Sequence, residues 1–368
     1  MKYLSYGERA FLRGHLNRVR HVTLDPDGPG VVRIHLIPCT KPDRDTPFVA
    51  ILNGQDILPL NLSWAILLTN LIEALQPHAG TELKDSDWSA INAQAVAATR
   101  KIYRKTEPLQ IESDLQMMLD TLIAVAQGKE PPLHIQPISL AQYAPRMAAP
   151  HRMDLMISTM VKDNAWHCNQ KCLHCYAANQ PLSAVPEMDT DQWLAVIEKC
   201  RGIGIPQLTF TGGEPTLYPS LPDLLRRIRR MGFLVKLDSN GSVPEMLEHL
   251  LREKLLDYVA MDIKNAPSRY AETCGADVIE QVEKSAALLK NSNIDYEFRT
   301  TVCHPFHSPD GMQEIGRWLH GAKRYFIQPF VDSGNLLGSG VSVMTKSELE
   351  MLLNAVKPYI PAAELRGV

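Results

Sequence analysis

The sequence predicts an α/β protein whose main domain is a partial barrel, and two observations carry that prediction. After residue 150, short apolar runs alternate with amphipathic helical stretches. Short apolar runs of this kind are typical of strands that are buried on both faces of a parallel sheet. The predicted strands cover residues 154–161, 207–210, 234–237, 258–263, 297–303 and 324–329. The predicted helices cover residues 191–201, 221–231, 244–254, 278–291, 311–321 and 346–356.

Six strand–helix units predict an open barrel. A strand that returns through a helix to a parallel neighbour crosses over with a right hand, so successive units wind in one direction. A closed barrel of this type needs eight units. We therefore predict a partial (β/α)6 TIM-like barrel, with functional residues at the carboxyl ends of its strands.

The chain before the barrel predicts a smaller α+β domain. Strand-like alternation covers residues 31–37 and 48–52, and helical patterns cover 64–75, 87–103 and a stretch that begins near 112. Five prolines between 131 and 150 indicate a linker. The predicted organisation is an amino-terminal domain at 1–130, the linker at 131–150, the barrel at 151–345, and a carboxyl-terminal helix and tail at 346–368.

Composition excludes several classes of function. The chain carries 38 Lys and Arg against 41 Asp and Glu, so no basic surface for nucleic acid is expected. No apolar run approaches the ~20 residues that span a bilayer, and the charged first twenty residues are unlike a secretory signal. Seven cysteines, an odd number, argue against a disulfide framework. We expect a cytoplasmic protein in a reducing compartment.

Three cysteines form the most informative motif. Cys168, Cys172 and Cys175 are spaced C-x3-C-x2-C. A [4Fe–4S] cube takes one thiolate per iron, so three thiolates leave one iron open to a small molecule. A zinc site that includes His167 or His174 is the alternative metal assignment. A chance grouping of thiols is the other.

A glycine pair follows the next predicted strand. Gly212 and Gly213 let the backbone approach a ligand closely, Glu214 can accept a hydrogen bond from an ammonium group, and Pro215 completes the turn. Together with the cysteine motif, this Gly-Gly-Glu-Pro segment resembles the radical S-adenosylmethionine (SAM) superfamily. The resemblance implies that the open iron of a [4Fe–4S] cluster chelates the amino and carboxylate groups of SAM. It also implies that the Gly-Gly-Glu-Pro segment hydrogen-bonds the amino group.

The ends of the third, fourth and fifth strands sharpen this resemblance. Over residues 154–332 the chain is similar to the glycyl-radical-enzyme activases, including those of anaerobic ribonucleotide reductase. The resemblance implies a SAM site that is lined by Asp238, Ser239, Asn240, Asp262, Lys264 and Arg299. Under this hypothesis Asp238, Ser239 and Asp262 hold a monovalent cation against the SAM carboxylate, since oxygen ligands suit a hard cation. Lys264 offers the carboxylate a point charge.

The implied reaction is a hydrogen abstraction. An electron donor of the flavodoxin or ferredoxin type reduces the cluster, SAM is cleaved to a 5′-deoxyadenosyl radical, and the radical takes hydrogen from a protein or peptide substrate. Cys274 and Cys303 follow the fourth and fifth predicted strands and are candidate catalytic thiols. The alternative for each is a small buried hydrophobic residue.

Three other functions stay open at this point. Leu60-Asn61, and Asp114 with its spaced leucines, resemble winged-helix modules that bind a leader peptide by strand addition. They favour an enzyme that modifies ribosomal peptides. A small-molecule substrate is the second alternative. A non-catalytic iron–sulfur or zinc protein is the third, and the Gly-Gly-Glu-Pro segment argues against it.

Overall fold

The computed structural model describes most of the chain and divides it into two compact units. The described residues are 4–24, 31–42, 46–78, 83–158, 161–162, 165–166, 168–175, 188–332, 336 and 339–367. The first unit comprises Met1–Met153, Leu194–Gln207 and Ile228–Leu234. The second unit comprises Asp154–Trp193, Leu208–Arg227 and Val235–Val368.

The first unit is built on a four-stranded antiparallel sheet. Its elements are α1 (Tyr6–His15), β1 (Arg20–Leu24), β2 (Val32–Pro38), β3 (Phe48–Leu52), β4 (Asp56–Leu60), α2 (Leu62–Leu75), α3 (Asp85–Ile102), α4 (Pro108–Ala126) and the short α5 (Leu140–Tyr143). The strands lie in the order β1-β2-β3-β4. The sequence predicted β2, β3 and the three long helices after β4, whereas α1, β1 and β4 were not predicted.

Both faces of this sheet are buried, which strand β3 makes clear. Phe48, Ala50 and Leu52 belong to the apolar core that α2, α3 and α4 complete. Val49 and Ile51 point the other way, into a second apolar cluster. This alternation follows from the two-residue period of a strand.

Helix α2 starts at a residue that the sequence singled out. The side chain of Asn61 accepts a hydrogen bond from the backbone N–H of Trp64 at 2.9 Å. Asn61 is therefore the N-cap of α2, a position at which asparagine is strongly favoured. Its place before the helix thus has a local explanation.

The seven-stranded sheet runs consecutively along the chain, in the order β13-β12-β11-β10-β9-β8-β5. Its strands are β5 (Arg152–Ser158), β8 (Gln207–Gly212), β9 (Leu234–Ser239), β10 (Tyr258–Asp262), β11 (Asp295–Val302), β12 (Tyr325–Pro329) and β13 (Ala363–Leu365). A two-stranded ribbon, β6 (Val161–Lys162) and β7 (Ala165–Trp166), follows β5. The connecting helices are α6 (Thr190–Ile203), α7 (Leu221–Arg230), α8 (Pro244–Arg252), α9 (Tyr270–Cys274), α10 (Ile279–Asn291), α11 (Pro309–Trp318) and α12 (Lys346–Val356).

The fold is the predicted partial TIM-like barrel with an amino-terminal antiparallel sheet. Every predicted barrel strand is present, with ends that differ by three residues at most. Helix α9 and strand β13 were not predicted because five and three residues are too short to show a period. In the described part of the chain, no helix is both long enough and apolar enough to cross a bilayer.

Parallel pairing brings the predicted site residues to one edge of the sheet. Asp262 of β10 is the register partner of Arg299 on β11. Asp238 and Ser239 of β9 are the partners of Ala260 and Met261 on β10. Side chains that are far apart in sequence therefore meet at the carboxyl ends of neighbouring strands.

Candidate active site

The three motif cysteines lie in one loop, residues 168–175, which we call the cluster loop. Cys168 and Cys172 are buried and Cys175 is half-buried. The Sγ atom of Cys168 lies 3.4 Å from the carbonyl oxygen of Gly213 and donates to it. Within the described residues no three His, Cys, Asp or Glu side chains are gathered closely enough to hold a metal ion. His167 lies outside the described residues.

The thiols are protonated in the metal-free chain, and their number fits a [4Fe–4S] cluster. Burial raises the pKa of Cys172 to about 12, with the nearby charge of Lys264 opposing the shift. Burial also raises the pKa of Cys168. These thiols hold their protons in the metal-free chain, so metal binding must displace the protons. Three cysteines of one loop, with no fourth thiol in the motif, are the donor set of a cube with one open iron.

The Gly-Gly-Glu-Pro turn, residues 212–215, packs tightly against the end of β5. Gly212 has a φ of 131°, and a Cβ at this position would overlap the carbonyl oxygen of Ser158. The N–H of Gly213 donates to that same oxygen at 2.9 Å. Only glycine fits position 212, because any side chain would push the turn away from β5.

Glu214 fastens this turn to the end of β9. One carboxylate oxygen accepts from the N–H and hydroxyl of Thr216 and from the hydroxyl of Ser239, the last at 2.9 Å. The other accepts from the N–H of Asn240 at 2.6 Å. Burial raises the pKa of Glu214, and these hydrogen bonds oppose the rise. Three of these four donors share Oε1, so Oε2, which accepts from Asn240 alone, keeps room for one more donor. A bond from the amino group of SAM to Glu214 stays a prediction, as does a role for Pro215, which begins a turn of 3₁₀ helix.

Five charged side chains form a network at the ends of β9, β10 and β11. Arg299 lies between the two aspartates, with Nη1 at 3.1 Å from Asp238 and Nη2 at 2.8 Å from Asp262. Lys236 pairs with Asp238 at 2.6 Å, and Lys264 pairs with Asp262 at 3.0 Å. The sequence did not single out Lys236, although its position two residues before Asp238 on one strand was a usable signal.

The network carries one surplus positive charge, from three cations and two carboxylates. Partial burial alone would raise the pKa of Asp262, but the charges of Arg299 and Lys264 hold it below its ordinary range. Both aspartates are thus paired with fixed cations. The surplus suits a ligand carboxylate. The monovalent cation stays a prediction.

The other candidate side chains are buried nearby in the second unit. Cys274 donates to the carbonyl of Ala276, and Cys303 packs with Phe306 and Phe330. Burial raises the pKa of Cys303 to about 11 and also raises that of Cys274. Both thiols are therefore buried and hold their protons more tightly than a free cysteine, and a catalytic role for either stays a prediction.

His174, inside the cysteine motif, is a stronger candidate for a functional residue than Cys274 or Cys303. It is 7% exposed, and among the described residues its Nδ1 has no hydrogen-bond partner. Burial lowers its pKa to about 3, and the charge of Lys264 contributes to the shift. Its neutral ring therefore lies close to the charged network.

Comparison with known proteins identifies one domain of the chain. Residues 167–319 match the Radical SAM superfamily. A protein of Methanocaldococcus jannaschii that is named as a glycyl-radical enzyme activating enzyme is 28% identical over 209 residues, which cover 55% of this chain and 86% of that protein. The PqqA peptide cyclase of Streptomyces rochei is 33% identical over 111 residues, but these cover only 30% of the cyclase.

Solved structures share the fold. SuiB of Streptococcus suis, bound to S-adenosylmethionine, superimposes with a TM-score of 0.54 at 13% identity, over 89% of this chain and 72% of SuiB. SuiB bound to its precursor peptide SuiA gives a TM-score of 0.54 at 12% identity, over 95% of this chain and 72% of SuiB. Residues 167–319 of this chain thus form a radical SAM domain, the domain of a superfamily whose enzymes use a [4Fe–4S] cluster and S-adenosylmethionine.

Proposed function

We propose that this protein is an activase-like radical SAM enzyme that removes a hydrogen atom from a protein or peptide substrate. The observation that carries the proposal is the similarity to the M. jannaschii protein, which extends over 86% of that protein rather than over the cysteine motif alone. The network of Asp238, Asp262 and Arg299 lies inside the part of the chain that resembles the activases, and it supports the same assignment.

The chain's residues fit both cofactors. When bound, a [4Fe–4S] cluster would supply the electron for the reductive cleavage of SAM to methionine and the 5′-deoxyadenosyl radical. Cys168, Cys172 and Cys175 would hold the cluster. Lys264 and Arg299 would hold the carboxylate of SAM, because they supply the surplus positive charge of the network. The Gly-Gly-Glu-Pro turn would orient the amino group of SAM, through its backbone carbonyls or through Oε2 of Glu214, which accepts from Asn240 alone.

The cysteines also indicate the cellular compartment and the class of electron donor. None of the seven cysteines, all of which the structure describes, forms a disulfide. A loop of reduced thiols that binds an oxygen-sensitive cluster needs a reducing compartment, so we infer the cytoplasm. A flavodoxin or ferredoxin is the class of donor that could supply a single low-potential electron.

A peptide maturase is the second candidate, and the amino-terminal domain favours it. The structural match to SuiB extends over 89–95% of this chain, so it includes the antiparallel sheet as well as the barrel. We infer from this that residues 1–130 select the substrate. A sheet edge in this domain could bind a leader peptide by strand addition.

Deuterium transfer tests the substrate class directly. Reconstituted enzyme, SAM and dithionite are mixed with an extract of the source organism grown on deuterated medium, separated by size into protein, peptide and small-molecule fractions. The mass of the released 5′-deoxyadenosine is then measured. A gain of one mass unit with the protein fraction, lost after protease treatment, is the expected result.

Each other outcome has a defined meaning. Transfer only from the peptide fraction would replace the activase with the maturase. Transfer only from the small-molecule fraction would contradict both. A reconstituted chain that releases no 5′-deoxyadenosine at all would overturn the radical SAM reaction itself. The triple Cys168, Cys172 and Cys175 to alanine variant is the matched blank.

A further inference from the structure

Asn240 joins the cluster loop to the Gly-Gly-Glu-Pro turn. Its Nδ2 donates to Oδ1 of Asn169, which lies inside the cluster loop, at 3.0 Å. Its backbone N–H donates to Glu214 at 2.6 Å. One residue therefore contacts both segments that the proposed reaction must align. It is 5% exposed, so water competes little for either bond.

A second bridge closes the connection. Ser242 donates its N–H to Oδ1 of Asn240 at 3.0 Å, and its hydroxyl donates to the same oxygen. The Nδ2 of Asn169 donates to the hydroxyl oxygen of Ser242 at 2.6 Å. Because a backbone N–H can only donate, the amide oxygen of Asn240 is fixed toward Ser242 and its Nδ2 toward Asn169.

The turn that carries Asn240 is itself held rigidly. Gly241 has a φ of 73°, and its N–H donates to the hydroxyl of Ser239 at 3.0 Å. The carbonyl of Gly241 accepts from Ser285 of helix α10 at 2.7 Å. The turn thus supplies a fixed point against which the cluster loop is positioned.

We propose that Asn240 is a positioning residue that couples the cluster loop to the SAM-binding turn through Asn169. It is not a SAM ligand in this arrangement, because its backbone N–H and both polar atoms of its side chain are bonded within the protein. The functional half of the proposal rests on the radical SAM reaction proposed above. The mechanical half, that Asn240 immobilises residues 168–175, concerns the metal-free chain alone.

Hydrogen exchange of the full-length, metal-free chain tests the mechanical half. Asn240→Ala and Asn169→Ala each remove the same bond, so each is expected to speed exchange in residues 168–175 about tenfold, the effect of losing one buried hydrogen bond. Asn70→Ala is the matched control, because it also removes an asparagine side-chain bond, to Thr99 at 2.9 Å, but in the amino-terminal domain. Unchanged exchange in both asparagine variants, or equal acceleration of residues 168–175 in the Asn70 variant, would overturn the proposal.

SAM binding by the reconstituted chain tests the functional half. At equal iron content, Asn240→Ala and Asn169→Ala are each expected to raise the Kd for SAM about tenfold, and the double variant by clearly less than the product of the two effects, because the two side chains share one bond. The SAM-dependent change in the electron paramagnetic resonance signal of the reduced cluster is the readout. Additive effects would show independent roles and contradict the coupling.

Asn169→Ala keeps the test decisive if Asn240→Ala does not fold, since it leaves the turn after β9 intact. A wild-type chain that takes up no cluster would refute the proposed function. The exchange experiment would still decide whether Asn240 fixes the loop.

Discussion

The carboxyl ends of the barrel strands and one face of the amino-terminal sheet both bury ionisable side chains, but only the first region pairs them with opposite charges. At the strand ends, Asp238 and Asp262 are paired with three cations. On the sheet, His21 and His35 are cross-strand neighbours whose rings lie 5.5 Å apart.

His21 and His35, which we call the histidine face, stay neutral. Burial lowers the pKa of His35 to about 4 and that of His21 to about 3, and the charge of Arg201 adds to both shifts. The Nε2–H of His35 donates to the carbonyl of Gly232 at 3.1 Å, and Nδ1 of His21 has no partner among the described residues. Buried charge is thus paired where a ligand is expected and suppressed where only packing is needed.

The largest effect should come from the cluster loop. Replacing Cys168, Cys172 and Cys175 with alanine should reduce the iron bound after anaerobic reconstitution from about four atoms per chain to none. The melting temperature of the metal-free chain should hardly change, because we expect these thiols to bind the cluster rather than to stabilise the fold. Cys200→Ala, a buried cysteine of α6, is the control and should keep all its iron. Stoichiometric zinc in anaerobically purified protein would contradict the assignment.

Glu214 should be the side chain of the site whose loss costs the most stability. Glu214→Ala leaves four buried donors without an acceptor and should lower the free energy of unfolding by about 4 kcal/mol. Denaturant titration measures the change. Glu198→Gln, at an exposed position of α6, should stay within about 0.5 kcal/mol of wild type. A loss below 1 kcal/mol for Glu214→Ala would mean that these bonds do not fasten the turn.

The histidine face should make the chain sensitive to acid. Between pH 6.5 and about 4 the unfolded chain binds a proton at His35 that the folded chain does not, so stability is complete above pH 6.5 and falls as the pH drops. The contribution of His35 over that interval is about 3 kcal/mol. Denaturant titrations at pH 7.5 and 5 should show a smaller loss for His35→Gln than for wild type. The exposed His320→Gln is the control, and an equal loss in all three proteins would exclude His35 as the cause.

The smallest effect should appear in the charged network. Asp262→Asn releases Lys264 and Arg299 from one carboxylate and disturbs their positions, so the Kd for SAM should rise about tenfold at unchanged iron content. Equilibrium binding to the reconstituted chain measures it. Asp295→Asn, at the opposite end of β11, should bind SAM as wild type does. Equal affinity in both variants would remove Asp262 from the SAM site.

The positions of the site residues near the carboxyl ends of the strands could be predicted from the sequence. The hydrogen bonds and ion pairs that these residues form could not. The prediction of parallel strands placed Asp238 and Asp262 at the carboxyl ends of two neighbouring strands and Arg299 within the next strand. It could not predict that Arg299 would bridge the two aspartates, nor that Glu214 would accept from four donors, because these contacts depend on how the side chains are oriented. Asn169 was missed for the same reason. Its partner lies 71 residues away.

Strand β13 has a consequence for self-association. It pairs in parallel with β12 over three residues, and Arg366 beyond it forms a two-pronged ion pair with the buried carboxylate of Glu297, at 2.7 and 2.9 Å. The guanidinium also lies over the ring of Phe326. Without β13, the outer N–H and C=O groups of β12 would form an open edge that a strand of another molecule could extend. A three-residue strand that is followed by an arginine exposes few unpaired backbone groups. This edge of the sheet is therefore poorly suited to pairing with a strand of another molecule.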